Sequence, residues 1–467
     1  MTTMDPSRSN LQQTRSSQEE VSLGEATRVW AKIGWLGFGG PAGQIALMHR
    51  ELVEKRRWIS DERFLHALSY CMLLPGPEAQ QLAIYIGWLM HRTVGGVIAG
   101  ALFVLPGVIV IGALSWLYAT YQQLPAVAAI FFGLKAAVLA VVIEAVLRVA
   151  RRALKNRVMV AIAAVAFIAL YFFKLPFPVV ILGAAAIGIV GRHWRPESFP
   201  APASAATLAQ GDYLVDRRIA RGELTQTIRS VRKSIGVAIV CALLWVGPIL
   251  AVIALFGRDS IFAQQGVFFG EAAVVTFGGA YAVLAYIAQK AVETYGWLSA
   301  GEMLDGLALA ETTPGPLIMV VQYVAFLAAF RHPGTMSPYA AGVLGSLITT
   351  WVTFAPCFLW IFLGAPYVEA LRGNRTIHAA LSAITAAVVG VILNLSVWFA
   401  VHTIFHTVRA TPDGLIRADI PDWSSIDPAA LLLSAGALVA MLRFKLGMGW
   451  TLFGSAVLGA LWVYGSN

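Results

Sequence analysis

Four charged side chains stand inside long apolar runs, where each is costly: Lys32, Glu78, Lys135 and Glu144. Charges so placed bind ions or carry protons. Lys32 and Lys135 are natural partners for a doubly charged anion. Glu78 and Glu144, with Glu271 and Glu311 further along, are candidates for proton or ion coupling. Polar side chains able to hydrogen-bond an oxyanion lie close by: Gln80, Gln81, Thr312, Thr313 and Gln322. The competing reading pairs the lysines inside the membrane with Glu78, Glu144 or Glu271. Gln44 and Gln289 suit helix–helix contacts. Arg56 and Arg57 suit topology signals that also collect anions at a cytoplasmic mouth.

These residues flank four breaks in otherwise helical sequence. Two are proline-bracketed glycines, Pro75-Gly76-Pro77 and Pro314-Gly315-Pro316. Two are aromatic-glycine steps, Phe38-Gly39-Gly40 and Phe277-Gly278-Gly279. Proline removes a backbone donor and restricts the residue before it. Glycine lets backbone approach a ligand. In lipid, unpaired backbone groups cost several kcal/mol each unless they line a cavity or bind something. A helix that starts at such a break points its N–H groups and dipole at the tip, which suits an anion.

The elements around the breaks belong to a membrane protein. The chain has 467 residues, 58% hydrophobic and 13% charged, against about 25% charged in soluble domains. Its apolar stretches recur from end to end, so the expected fold is an all-α polytopic membrane protein. The polar start, "MTTMDPSRSNLQQTRSSQEE", has no apolar core, and no cleaved signal peptide is expected. The formal charge of +9 fits basic cytoplasmic loops better than a nucleic-acid partner. Cys71, Cys241 and Cys357 lie in apolar segments without CxxC spacing and are expected to be inert thiols.

The breaks recur at one spacing. Phe38-Gly39-Gly40, Trp58 and Pro75-Gly76-Pro77 reappear 239 residues later, and Pro106 and Lys135-Ala136-Ala137-Val138 find counterparts 250 residues later. At these offsets Glu271 matches Lys32, Thr385 matches Lys135 and Asn394 matches Glu144. The expected organisation is a polar cytoplasmic N-terminus (1–23), a first repeat (24–191), a basic cytoplasmic linker (192–234), a connecting membrane helix (235–259) and a second repeat (260–467). Basic clusters at His49–Arg63, His91-Arg92 and Arg148–Arg157 mark the inside of the first repeat. The second repeat then runs upside down. Inverted repeats with broken helices place the site of many transporters at the midplane. The segment 62–91 has both ends inside, and each arm, at ~1.5 Å per residue, falls short of the ~30 Å core. The glycine-proline tips are therefore expected to end re-entrant hairpins. About nine full spans and four re-entrant segments are expected.

The runs "GFGGPAGQIALMHRELVEKRRWIS", "LLPGPEAQQLAIYIGW" and "TFGGAYAVLAYIAQKAVETYGWLS…TTPGP" resemble the chromate ion transporter family in its long, two-domain form. The resemblance runs from about residue 24 to 405. It implies export of chromate from the bacterial cytoplasm across the inner membrane and chromate resistance. Sulfate has similar size, charge and shape and is an expected competitor. One departure matters at the tips themselves: Glu78 follows the first where Leu317 follows the second.

With no Walker motif, the expected mechanism is secondary transport by alternating access, driven by the membrane potential, a proton gradient or both. The alternatives are a sulfate or related oxyanion transporter, a passive anion channel and, more remotely, a membrane-bound oxidoreductase. No cofactor or metal is expected, since "GFGGPAG" lacks the GxGxxG spacing and "HTIFH" (402–406) lacks the glutamate of HExxH. The expected partners are the transported ion, the bilayer and a possible second copy through glycine stripes such as Gly95-Gly96 and Gly100.

Overall fold

A computed structural model describes residues 21–199, 213–224, 230–277, 280–367, 375–410 and 419–465. Gly278 and Gly279 lie outside the described residues. The described chain is helical almost throughout. Its exception is a short antiparallel pair, β1 (Val408–Ala410) with β2 (Asp419–Pro421).

Each repeat opens with four short arms around two breaks. In the first, α1 (Leu23–Leu36) and α2 (Gly40–His49) flank the Phe-Gly-Gly step. Then α3 (Asp61–Cys71) and the start of α4 (Glu78–Tyr121) flank Pro-Gly-Pro. The helix α4 reverses at His91-Arg92, where φ/ψ leave the helical region. Beyond that turn it folds back on its own first arm: a Cβ on Gly87 would sit 2.4 Å from the Gly95 carbonyl oxygen. The first repeat closes with α5 (Pro125–Ala153), α6 (Arg157–Tyr171) and α7 (Phe177–Trp194).

The linker contributes α8 (Leu214–Ala220), which docks on the first repeat. The backbone N–H groups of Leu214 and Val215 donate to the Arg57 and Trp58 carbonyls, and Asp216 pairs with Arg63 at 2.6 Å. The connecting helix is α9 (Val231–Phe256).

The second repeat follows the same order. It runs through α10 (Ile261–Val275), α11 (Ala280–Gln289), α12 (Ala300–Thr312), α13 (Val320–Arg331), α14 (Pro338–Gly364), α15 (Arg375–Ile404), α16 (Pro428–Leu442) and α17 (Met448–Gly465). Small details repeat as well. A π-helical turn follows α2 at Arg50–Lys55 and α11 at Lys290–Thr294. Trp58 N–H donates to the Leu52 carbonyl as Trp297 N–H donates to Ala291, both at 2.8 Å.

Among the described residues, seven helices are long and apolar enough to cross a membrane: α4, α5, α7, α9, α14 with its extension to Tyr367, α15 and α17. The remaining two of the nine expected spans, α6 and α16, have 15 residues each. The short arms, from 10 residues in α2 to 15 in α10, cover ~15–22 Å, less than the ~30 Å core.

The repeats interlock. Helix α5 packs on α16 and α17 of the second repeat, and α15 packs on α6 and α7 of the first. Close backbone approach makes this possible. A Cβ on Gly133 would lie 1.9 Å from the Ser455 carbonyl oxygen, and one on Gly390 would lie 2.1 Å from that of Ala163. The buried core therefore runs continuously across both repeats.

Candidate functional site

The four breaks meet in crossed pairs. Gly76 N–H, at the first proline-bracketed tip, donates to the Thr276 carbonyl at 2.8 Å. Gly315 N–H, at the second tip, donates to the Gly37 carbonyl at 3.2 Å. All four positions are related by the same 239-residue offset, so each tip is held by the aromatic-glycine break of the other repeat. The helices behind them correspond too. A Cβ on Gly76 would lie 3.1 Å from Cys357 Sγ, and one on Gly315 would lie 2.9 Å from Gly107 Cα. Both glycines have positive φ, 116° and 101°, which a side chain would strain.

Glutamines finish the assembly. Gln44 Nε2 donates to the Gly315 carbonyl at 2.5 Å and to Gly37 at 3.3 Å, so its contact is with the break itself. Gln81 Nε2 donates to the Pro75 carbonyl at 2.7 Å. Gln322 Nε2 donates to Val108 at 3.0 Å, tying α13 to α4. Gln80 is buried and its Oε1 accepts no hydrogen bond. Thr312 and Thr313 give their hydroxyls to carbonyls of their own helix.

The two tips differ in what they face. The second, from Thr313 to Leu317, is buried throughout. The first opens into a cavity of about 420 Å³, to which it contributes Leu73, Leu74, Gly76 and Glu78. The lining also carries Arg148 and Arg152 from the end of α5, Lys155 just beyond it, and His378 from α15. Arg148 is paired with Glu144 at 2.5 Å. Among the described residues, neither Arg152 nor Lys155 has a carboxylate partner. Ser382 and Thr385 of α15 add hydroxyls to the lining. The new arm starts at Glu78 with Pro77, which offers no capping side chain, before it. Cations and a helix start around one space suit an oxyanion, although the Thr385 hydroxyl already donates to the Leu381 carbonyl at 2.8 Å.

The charged residues singled out by sequence find other partners. Lys32 lies 3.2 Å from Glu51, not from Glu78, Glu144 or Glu271. Glu51 is buried to 1% exposure among Lys32, Lys55 at 2.9 Å, and Arg56. Burial works against its charge, but Lys55, Arg56 and Lys32 together hold the carboxyl down at about 2. Lys135 pairs with Asp305 of α12 at 3.3 Å. Glu311 is buried and accepts the Tyr281 hydroxyl at 2.6 Å. Glu271 is exposed, and no ion pair joins it to Lys290 among the described residues. Phe38 is 47% exposed beside its break, where Gly39 and Gly40 take φ of 86° and 64°.

Sequence reasoning used Arg148, Arg152 and Lys155 only as markers of membrane sidedness. The signal that would have found Arg152 is its i,i+4 spacing from Arg148 on one face of α5; Lys155 lies just past the end of that helix.

A family model described as "Chromate transporter" matches residues 24–189 and 263–460, covering both repeats. The chain belongs to the chromate transporter family. That is a family of transporters, not of enzymes. Three curated relatives are alike over most of their length. The chromate transport protein of Pseudomonas aeruginosa is 31% identical over 83% of each chain. That of Cupriavidus metallidurans is 27% identical over 82% of this chain and 84% of its own. A probable chromate transport protein of Synechococcus elongatus is 26% identical over 79% and 83%. No solved structure matches this chain. In this chromate transporter family member, both matched segments carry one tip and one aromatic-glycine break each.

Proposed function

We propose that this protein is a secondary transporter that exports chromate from the bacterial cytoplasm across the inner membrane and so confers chromate resistance. The observation that carries the reading is the cation-lined cavity ending at the first Pro-Gly-Pro tip. The dianion enters from the cytoplasmic side, where the basic clusters and the linker lie by the positive-inside rule. Arg152 and Lys155 draw it in, and the donors at the start of the Glu78 arm meet it at the tip. Lys32, paired with Glu51, belongs to the mouth and not to the seat.

The repeats are inverted in this reading, with the tips as re-entrant hairpin ends meeting near the midplane. The arms are too short to span, and the reciprocal Gly76–Thr276 and Gly315–Gly37 bonds agree with a pseudo-two-fold relation between the repeats. Direct bonding of each tip to the other repeat favours a carrier over an open channel. Export follows the membrane potential. A dianion leaving a negative interior gains ~4.6 kcal/mol per 100 mV. At ~1.4 kcal/mol per tenfold, this sustains about a thousandfold gradient. Glu78 sits in the cavity with the substrate, where its protonation state decides how well an anion is tolerated, so proton flow can modulate the step. The seat reads charge and tetrahedral shape, which sulfate shares.

The test is uptake of labelled chromate into inverted membrane vesicles with and without an imposed potential. Arg152→Gln with Lys155→Gln should raise KM by about tenfold, a loss of ~1.4 kcal/mol, with normal protein levels. Unchanged KM in the double variant would remove the cavity from the path.

A further inference from the structure

A second basic cavity lies beside the first. It has a volume of about 290 Å³ and is lined by Arg192, His193, Pro196, Phe199 and Arg375. Arg192 and His193 stand in the last turn of α7, and Arg375 opens α15 of the other repeat. The two helices meet there: Arg192 donates to the Thr376 hydroxyl, and Phe199 folds back on α7, 2.5 Å from a Cβ placed on Gly191. Among the described residues, no carboxylate pairs with Arg192 or Arg375. Glu197, next to Pro196, is exposed and outside the lining. The two cavities share a wall. Ser198 and His378 line the larger one, while Phe199, next in the chain, and Arg375, one turn earlier in α15, line this one. The outer face of α7 leads to the same place. Val179, Leu182, Ile189 and Val190 are exposed along one side of the helix. His193 continues that side, and Trp194 beside it is 83% exposed. An apolar band that ends in tryptophan and then cations is the order of a membrane–water interface, and the basic end is the cytoplasmic one.

We propose that this cavity seats the phosphate of an anionic phospholipid from the cytoplasmic leaflet. Two guanidiniums offer forked donors that match phosphate oxygens. A basic pocket between membrane helices on the cytoplasmic side suits an anionic headgroup. A free oxyanion offers the same chemistry, and the larger cavity is next door. The lipid is favoured because one molecule satisfies both features. Its acyl chains lie along the exposed face of α7, and that face delivers its phosphate to Arg192 and Arg375. So placed, the headgroup ties the end of the first repeat to the start of α15 and braces the wall that the two cavities share. The inference draws on the membrane placement of α7 and not on the transport reading.

The experiment takes the full chain purified in detergent and follows its Tm during titration with dioleoyl phosphatidylglycerol, dioleoyl phosphatidylcholine, inorganic phosphate or chromate. Phosphatidylglycerol should raise Tm to a plateau, and phosphatidylcholine should not. Arg192→Gln with Arg375→Gln should weaken the phosphatidylglycerol affinity by about twentyfold, about fivefold for each arginine. Arg195→Gln removes an exposed cation outside the lining and should leave the affinity within about twofold. If the double variant fails to fold, Arg375→Gln decides alone, because no internal ion pair is lost with it. A wild-type response in these variants would overturn the inference. So would an Arg195→Gln loss as large as that of Arg375→Gln, which would reduce the effect to diffuse attraction by a basic surface. If phosphate or chromate matched the lipid, and Arg375→Gln abolished that response, the cavity would be a free-oxyanion site and the lipid assignment would fall. A chain that binds the lipid in this way but moves no chromate would overturn the transport reading and leave this one standing.

Discussion

The two Pro-Gly-Pro tips have the same backbone and opposite surroundings. Each glycine has positive φ and gives its N–H to the aromatic-glycine break of the other repeat. Yet the first tip continues into Glu78 and faces a cavity with Arg148, Arg152 and Lys155. The second continues into Leu317 and is buried. The scaffold is thus symmetric where it holds the breaks and asymmetric where charge is placed. A carrier caught open to one side should show that pattern in its spaces. The Glu78–Leu317 difference is in the sequence and persists in every state.

The largest expected effect attacks the shared scaffold. Gly315→Ala places a Cβ 2.9 Å from backbone at Gly107 and strains φ at 101°, while Gly76→Ala meets the side-chain ends of Gln81 and Cys357. Both should suffer, each by ~1–3 kcal/mol of backbone strain, with the Gly315 variant the worse because backbone cannot step aside. Expression and melting of the detergent-purified variants check this. A Gly76 variant hit as hard as the Gly315 variant would show that the two tips are equally packed. Next comes the asymmetry itself. Glu78→Leu makes the first tip read like the second. If Glu78 tunes anion tolerance by its proton, chromate uptake in vesicles should lose its dependence on pH while the protein stays folded. A variant with the wild-type pH profile would assign the coupling elsewhere, to Glu144 or Glu311.

Much of this scaffold is legible in the sequence, because it is local and repeated. The breaks announce themselves through proline and glycine, and one offset links Phe38, Trp58 and Gly76 to Phe277, Trp297 and Gly315. The many-helix membrane architecture follows from composition. Partnering across distance does not. Lys32 and Glu51 are 19 residues apart and meet only because a π-helical turn swings Glu51 inward. Lys135 and Asp305 lie in different repeats, and nothing in one sequence says that α5 crosses to α12. Arg152 and Lys155 look like ordinary membrane-flanking cations until α3, α5 and α15 enclose them with the first tip. Charge patterns serve sidedness and substrate alike, and only geometry separates the two uses.

The third comparison concerns Gln44, which bridges the Gly37 and Gly315 carbonyls, whereas its counterpart 239 residues on is Val283. Only the contact at the second tip has this polar stitch. Gln44→Leu leaves carbonyls at the break short of a donor and should cost about 1–3 kcal/mol. The loss should appear as a lower Tm and as freer separation of the Gly315–Gly37 pair. A Tm equal to wild type would mean that the N–H bond alone holds the second tip.

The smallest effect distinguishes the two repeats at their first arms. Lys32 and Glu51 pair in the first repeat, and the equivalent positions, Glu271 and Lys290, carry the reversed charges without an ion pair among the described residues. The Glu51 carboxyl is lowered from an ordinary 4.5 to about 2 by its cations, against the pull of burial. A depressed carboxyl stabilises the fold fully above the unfolded value and loses that contribution as pH falls through the folded one. The anchoring of α1 should therefore hold at pH 5 and above and fade between about 4.5 and 2. Glu51→Gln should lower Tm at neutral pH and flatten its acid dependence across that window, while Lys290→Met should leave the acid profile alone. A wild-type Tm that does not change between pH 5 and pH 2 would mean that the three cations around Glu51 are already satisfied by water, and that the two repeats are anchored alike.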